Sequence, residues 1–237
     1  MIRSMYTSAI GMRKGMQNLD VISNNIANAN TTGFKKDTAV FGDFKTIIEG
    51  EMAKKDLLTL DEVASDYSQG SLDETGGKYD LAIKGNGFFA VDVEGTEKYT
   101  RDGSFTLDKN GYMVDKLGNR VKGEKGNIKC STTNVIVDPS GKVFDNGKEV
   151  GIIKMVDFEN EKSLKKSGDN FVEKTDLTKE KKFKGTLMQG YLESSNVNVI
   201  NEMVEMMNVM RNYETNQKIL KVQDEILGKS VNDVGRV

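Results

Sequence analysis

Histidine does not occur among the 237 residues of this chain, and cysteine occurs once, at position 130. The first absence removes the side chain that most often serves as general base near neutral pH and the commonest transition-metal ligand. The second excludes an internal disulfide and a thiolate zinc cluster, and Cys130, within KCSTTNVIV, reads as an ordinary strand residue. Charge imbalance is missing too. Lys and Arg number 34 against 36 Asp and Glu, a net of −2, so the chain as a whole has no bias toward nucleic acid or an anionic membrane. No apolar run approaches the ~20 residues of a membrane span, and MIRSMYTSAIGMRKGM lacks the continuous apolar stretch of a cleavable signal peptide. If the protein leaves the cytoplasm, another route must carry it. What remains is a globular or assembling protein, hydrophobic enough to build a core, that recognises partners by shape and apolar surface. No catalytic residue, cofactor, metal, nucleic-acid partner or membrane insertion is expected.

What is present changes character twice along the chain. From Met1 to Ile26 the apolar residues Ile2, Met5, Ala9, Met12, Met16, Leu19 and Ile26 fall three and four apart, broken only at Ser23, which is the spacing of a heptad seam. Between about Ser71 and Gly185 the period becomes two and glycines recur, as in YDLAIKGNGFFAVDV and NVIVDPSGKVFDNGKEVGIIKMVDF. These segments read as short strands joined by tight turns. The helical period returns from Val197 to Leu227. Val199, Met206, Tyr213, Leu220 and Leu227 sit seven apart, and Met203 and Met210 are expected at the other seam position.

The fold class that follows is α+β, with long N- and C-terminal helices forming a coiled-coil-like pair and a β-rich domain inserted between them. The expected division is 1–70 for the N-terminal helix and linker, 71–185 for the β-rich domain and 186–237 for the C-terminal helix. A helix over 197–228 would be roughly 45 to 50 Å long at 1.5 Å per residue, more than a compact domain of this size requires, and is expected to project. Ile200, Val204, Met207, Ile219, Val222 and Ile226 form a second stripe on it. One partner helix cannot cover both stripes, and uncovered apolar surface of that extent marks association.

The first helix ends in VISNNIANANTTGFKK. After Ile26 the apolar face disappears and Asn28, Asn30, Thr31 and Thr32 offer side chains that bond nearby backbone. Gly33 can adopt positive φ and close the turn. The segment reads as a helix terminator whose small polar residues also let another backbone approach.

Here the residues carry a resemblance. LDVISNNIANANTTGFKKD resembles the N-terminal signature of bacterial flagellar rod, hook and hook-associated axial proteins. SQGSLDETGGKYDLAIKGNGFF, YTRDGSF and GYMVDKLGNRV are similar to the central β-region of flagellar basal-body rod subunits. GYLESSNVNVINEMVEMMNVMRNYETNQKILKVQDEILG resembles their closing motif. Together the three segments span most of the chain in the family's order, and the charged stretch 42–69 is the part least like it. The resemblance implies a structural subunit exported by the flagellar type III apparatus without a cleaved signal. Such a subunit would polymerise helically with itself and other axial proteins in the basal body and transmit torque from motor to hook. It assigns assembly roles to Asn24, Asn25, Asn28, Asn30, Thr31, Gly33 and Phe34 at one end. At the other end it points to Gly190, Leu192, Glu193, Ser195, Asn196, Val197, Arg211, Tyr213, Glu214 and Asn216. The helical spacing adds Met203, Met206, Met210 and Leu220.

Other readings compete. Gly85-Asn86-Gly87-Phe88-Phe89-Ala90 has the G-x-G-x-x-A form of a dinucleotide fingerprint, with Asp108 near the ribose-binding distance, but FFAVDV alternates like a strand where a pyrophosphate site needs a helix to open. A glycine turn delivering Phe88 and Phe89 to the core from a tight hairpin accounts for it. Asp108, Asn110 and Asp115 lack the spacing and closing glutamate of a calcium loop and read as turn acids. The lysines from Lys162 to Lys184 are interleaved with Glu173, Asp176 and Glu180, as on a solvated surface. Arg3, Arg13 and Lys14 are too few to anchor the first helix on a membrane. The alternative of another class is a soluble coiled-coil adaptor whose β-domain binds a partner protein.

Overall fold

The computed structural model describes residues 2–41, 62–131, 135–168, 170–175 and 178–234. Most of the charged 42–69 segment, residues 42–61, and Asp176 lie outside that description. The chain divides into two compact units, one of Met1–Ala27, Asp37–Asp66 and Asn198–Val237, the other of Asn28–Lys36 and Tyr67–Val197. Two terminal helices pack together in the first, and strands make up the second, which is the α+β class read from the sequence.

In the helical unit, α1 (Ile2–Ala27) lies against α2 (Val199–Val234). They run antiparallel, for Asn25 meets Glu202 while Gly11 meets Asn216. Asn198 caps α2, its Oδ1 accepting the Asn201 N–H at 3.1 Å, and Glu202 places an acid in the positive first turn. At 36 residues α2 is roughly 54 Å long and continues six residues past its expected end. A short antiparallel ribbon, β1 (Asp37–Val40) and β2 (Glu62–Ser65), completes the unit and aligns Asp37 with Ser65.

The β-rich unit holds its core between Phe88–Val93 and the strands around it. That strand pairs with Thr96–Thr100, with Arg120–Gly123 and with Met155–Phe158. Successive side chains of a strand point to opposite faces. Phe89 therefore enters a cluster with Leu81, Phe105, Met113 and Val143, while Phe88 enters another with Tyr67, Tyr99 and Phe158. The rings meet edge-on, Phe89 with Phe105 at 5.2 Å and Tyr99 with Phe158 at 5.0 Å between centroids, the arrangement that the aromatic quadrupole favours.

The G-x-G-x-x-A stretch leads into a strand, so no helix opens there to hold a pyrophosphate. The expected hairpin is absent as well. Leu81–Lys84 pairs with Thr186–Gln189, so Gly85 to Gly87 turns a corner from one sheet into another. Gly87 has φ +134° and a Cβ there would stand 2.7 Å from the Phe183 ring, which explains glycine on both conformational and steric grounds. Cys130 is buried but lies just past an isolated bridge at Lys129, outside any strand. Burial, with the nearby Asp145 charge, pushes its thiol up to about 11, so it behaves as a small core residue.

Turn acids recur with one geometry. Asp108 Oδ1 accepts the N–H groups of Asn110 and Tyr112, each at 2.8 Å, and Asp115 does the same for Leu117 and Asn119. Asp138 accepts from Ser140. Desolvation raises the Asp108 pKa, but the backbone donors of Tyr112 and Asn110 outweigh it and hold the carboxyl below its usual range; the Ser140 N–H lowers Asp138 in the same way. For both groups the folded pKa lies below the unfolded value of about 3.9. Their stabilisation is therefore complete above about pH 4 and disappears as pH falls through the lowered folded pKa. Thermal melts at descending pH should show a shallower acid limb for the D108N/D138N variant than for the parent, and parallel limbs would reject this assignment.

Candidate assembly surfaces

Three segments far apart in sequence converge on one carboxylate inside the β-rich unit. Glu193, from the GYLESSN segment, accepts hydrogen bonds from Lys35 Nζ at 2.5 Å and from Arg101 Nη1 at 3.1 Å, with all three side chains at most 4% exposed. Lys35 belongs to the terminator segment and Arg101 to YTRDGSF. The Gly70 N–H also reaches Glu193 Oε1, and Lys35 Nζ donates to the Ser68 carbonyl. Burial pulls the Arg101 guanidinium below its ordinary pKa and the Glu193 charge opposes that pull. A buried ion cluster of this kind gains its value from being complete, since loss of one member strands charge in a low-dielectric site.

Backbone contacts dock the terminator segment on this cluster. The Gly33 N–H donates to the Glu193 carbonyl at 2.7 Å, and the Lys36 N–H donates to Asn196 Oδ1 at 2.8 Å. Asn170 Nδ2 donates to the Thr32 carbonyl, and the Lys166 ammonium donates to the Lys35 carbonyl while lying 4.4 Å from the Phe34 ring centre. Gly33 has φ +68°, and a Cβ would fall 2.4 Å from the Asp102 nitrogen, so the close approach excludes every other residue. Thr31 bonds back to Asn28 through side chain and backbone. Phe34 is buried, Asn28 and Thr31 are half-buried and Asn30 is exposed. Sequence reasoning alone does not single out Lys35 and Arg101, although each lies in a segment that carries the resemblance; a charged residue flanked by glycine and aromatics is the signal.

In the helical unit the seam differs from the expected one. Met206, Tyr213, Leu220 and Leu227 are half-buried as read, but the second seam position belongs to Glu202, Val209, Asn216 and Gln223. Met203 and Met210 stand one residue off it, about half exposed. On α1 the inward face carries Ser8, Gly11, Gly15, Ile22 and Asn25, while Ala9 and Met16 face out. Apolar spacing alone places Met203 and Met210 inward, because it cannot tell a seam from a stripe. The two glycines decide the matter: a Cβ on Gly15 would touch Val209 and Tyr213, and one on Gly11 would sit 3.0 Å from Asn216. Small residues let the helices approach, and that closeness selects the face. Outside the seam, Ile200, Met203, Val204, Met207 and Met210 form one exposed apolar row, continued by Ile219, Val222 and Ile226. Asn24, Arg211 and Glu214 are also exposed.

Among the described residues no helix is long and apolar enough to cross a membrane. A helix pair with apolar rows turned outward and a β-rich unit that joins three segments at a buried ion cluster define a protein built for packing: an axial structural subunit. Residues 5–35 match the family described as flagella basal body rod protein, residues 82–144 the flagellar hook protein FlgE/F/G D1 domain, and residues 188–233 the flagellar basal body rod FlgEFG protein C-terminal region. The chain is 35% identical to the flagellar basal-body rod protein FlgG of Buchnera aphidicola subsp. Acyrthosiphon pisum, over 97% of this chain and 98% of the relative. It is 35% identical to FlgG of Bacillus subtilis over 98% and 99%, and 34% identical to the rod protein FlgF of Caulobacter vibrioides over 96% and 97%. The chain belongs to the flagellar basal-body rod protein family, a family of structural proteins and not of enzymes.

Proposed function

We propose that this chain is a structural subunit of the bacterial flagellar basal-body rod, exported by the type III apparatus and polymerised helically with itself and with other axial proteins. Its two terminal helices form the axial part, to which the flanks of the 1–70 and 186–237 segments contribute, and torque passes through packed side chains with no chemical step. The observation that carries this reading is the outward row on α2. Its own partner α1 covers the Met206–Tyr213–Leu220 seam and leaves Ile200, Met203, Val204, Met207 and Met210 exposed. Apolar surface of that extent on a single helix supports repeated contact with neighbouring subunits. The assembly roles assigned to Asn24, Asn30, Arg211 and Glu214 belong to this proposal, because all four are exposed and available to a neighbouring subunit.

Contacts of this type are heterologous and generate open assemblies. Electron microscopy of concentrated full-length protein should show tubes or rods of variable length. A closed oligomer of fixed size would overturn the reading in favour of an adaptor.

A further inference from the structure

We infer that the hydrogen bond between Asn25 and Glu202 sets the register in which α1 and α2 pair. Asn25 is 1% exposed and Glu202 3%. The Asn25 amide is first fixed from its own side of the unit: its Oδ1 accepts the Asp37 N–H at 2.9 Å, and its Nδ2 donates to the Asp37 carbonyl at 2.8 Å. So held, Nδ2 directs its second hydrogen to Glu202 Oε2 at 3.0 Å. Asp37 is itself located by β1 pairing and by Ser65, whose hydroxyl donates to Asp37 Oδ1 at 2.6 Å. The amide is thus an oriented probe for whatever α2 residue stands opposite.

The large apolar residues of the seam do not discriminate one register from the next. Met206, Tyr213, Leu220 and Leu227 repeat every seven residues, so a slide of one heptad places one large apolar residue where another stood. Gly11 and Gly15 present no side chain to object. Gln223, which occupies the same seam position as Glu202 three heptads on, leaves its Oε1 without a hydrogen-bond partner. After the slide, Val209 would face Asn25, and a buried amide hydrogen would have no acceptor. A buried polar contact in a seam of repeating apolar residues is a known physical means of choosing one register from several. The inference rests on the helix pair alone and stands whether or not the chain polymerises.

Disulfide crosslinking of the full-length protein tests it. G11C/N216C reports the observed register and G11C/Q223C the one reached by a seven-residue slide, while buried Cys130 stays out of the exchange. In the parent background the first pair should close and the second should not. Glu202→Leu removes the carboxylate and leaves both Asn25–Asp37 bonds. It should raise the G11C/Q223C crosslink several-fold, and Glu202→Gln, which keeps an acceptor, should restore the parent pattern. A Glu202→Leu protein that still closes only the 11–216 pair would overturn the inference. So would loss of both crosslinks, since Glu202 would then hold the helices together without choosing their register.

Discussion

Replacing Glu193 by Ala should cost the β-rich unit about 3–5 kcal/mol, because it takes from the buried Lys35 and Arg101 charges the carboxylate that both contact directly. The change also takes the acceptor from the Gly70 N–H. For a unit of this size the loss corresponds to a fall in Tm of roughly 10 °C or more, readable by circular dichroism of the full chain. A control separates charge from packing. The triple variant K35M/R101L/E193L removes all three charges at similar volume and should recover most of the lost stability, since desolvated ions gain little over well-packed apolar groups. If E193A melts within about 1 kcal/mol of the parent, the cluster is hydrated in solution and does not join the three segments.

The second large effect separates the seam from the outer row. Leu220→Asp puts a carboxylate on the half-buried face of α2 and should cost ~2 kcal/mol or more in helix pairing. Met210→Asp changes an exposed position, so the isolated protein should stay within about 0.5 kcal/mol of the parent. Both should abolish tube or rod formation and motility, but for different reasons. L220D fails because the subunit loses its helix pair, and M210D because a correctly folded subunit presents a charge to its neighbour. Thermal melts run beside sedimentation of concentrated protein distinguish the two. An M210D protein that assembles like the parent would remove the outer row from the assembly surface.

The buried cluster shows why the candidate site was only half legible. The segments holding Lys35, Arg101 and Glu193 were each recognised in sequence, and Glu193, Gly33, Phe34 and Asn196 were carried over by resemblance. That the three charges share one site depends on chain paths separated by 66 and 92 residues, and no local pattern reports such a meeting. The helix seam failed differently. The helical period is legible, yet an apolar helix with two stripes is ambiguous about which stripe faces inward. Glycine, which contributes nothing to a hydrophobic count, resolved it by allowing close approach.

By itself the sequence determined what local chemistry can determine: two terminal helices from heptad spacing, a strand-rich middle from period two and turn residues, the helix stop at Ala27, and turn acids in place of a metal loop. It also carried the family, because three ordered motifs survive as strings. Tertiary structure alone decided that Asn28–Lys36 packs within the β-rich unit, that Gly85 to Gly87 links two sheets, that Cys130 sits outside a strand, and that Glu202, Val209 and Asn216 hold the seam while Met203 and Met210 face out. The physical reason is common to all four. Periodicity and turn propensity are energies of neighbours along the chain, whereas the choice of face, partner and burial is settled by atoms that meet only after the chain has folded.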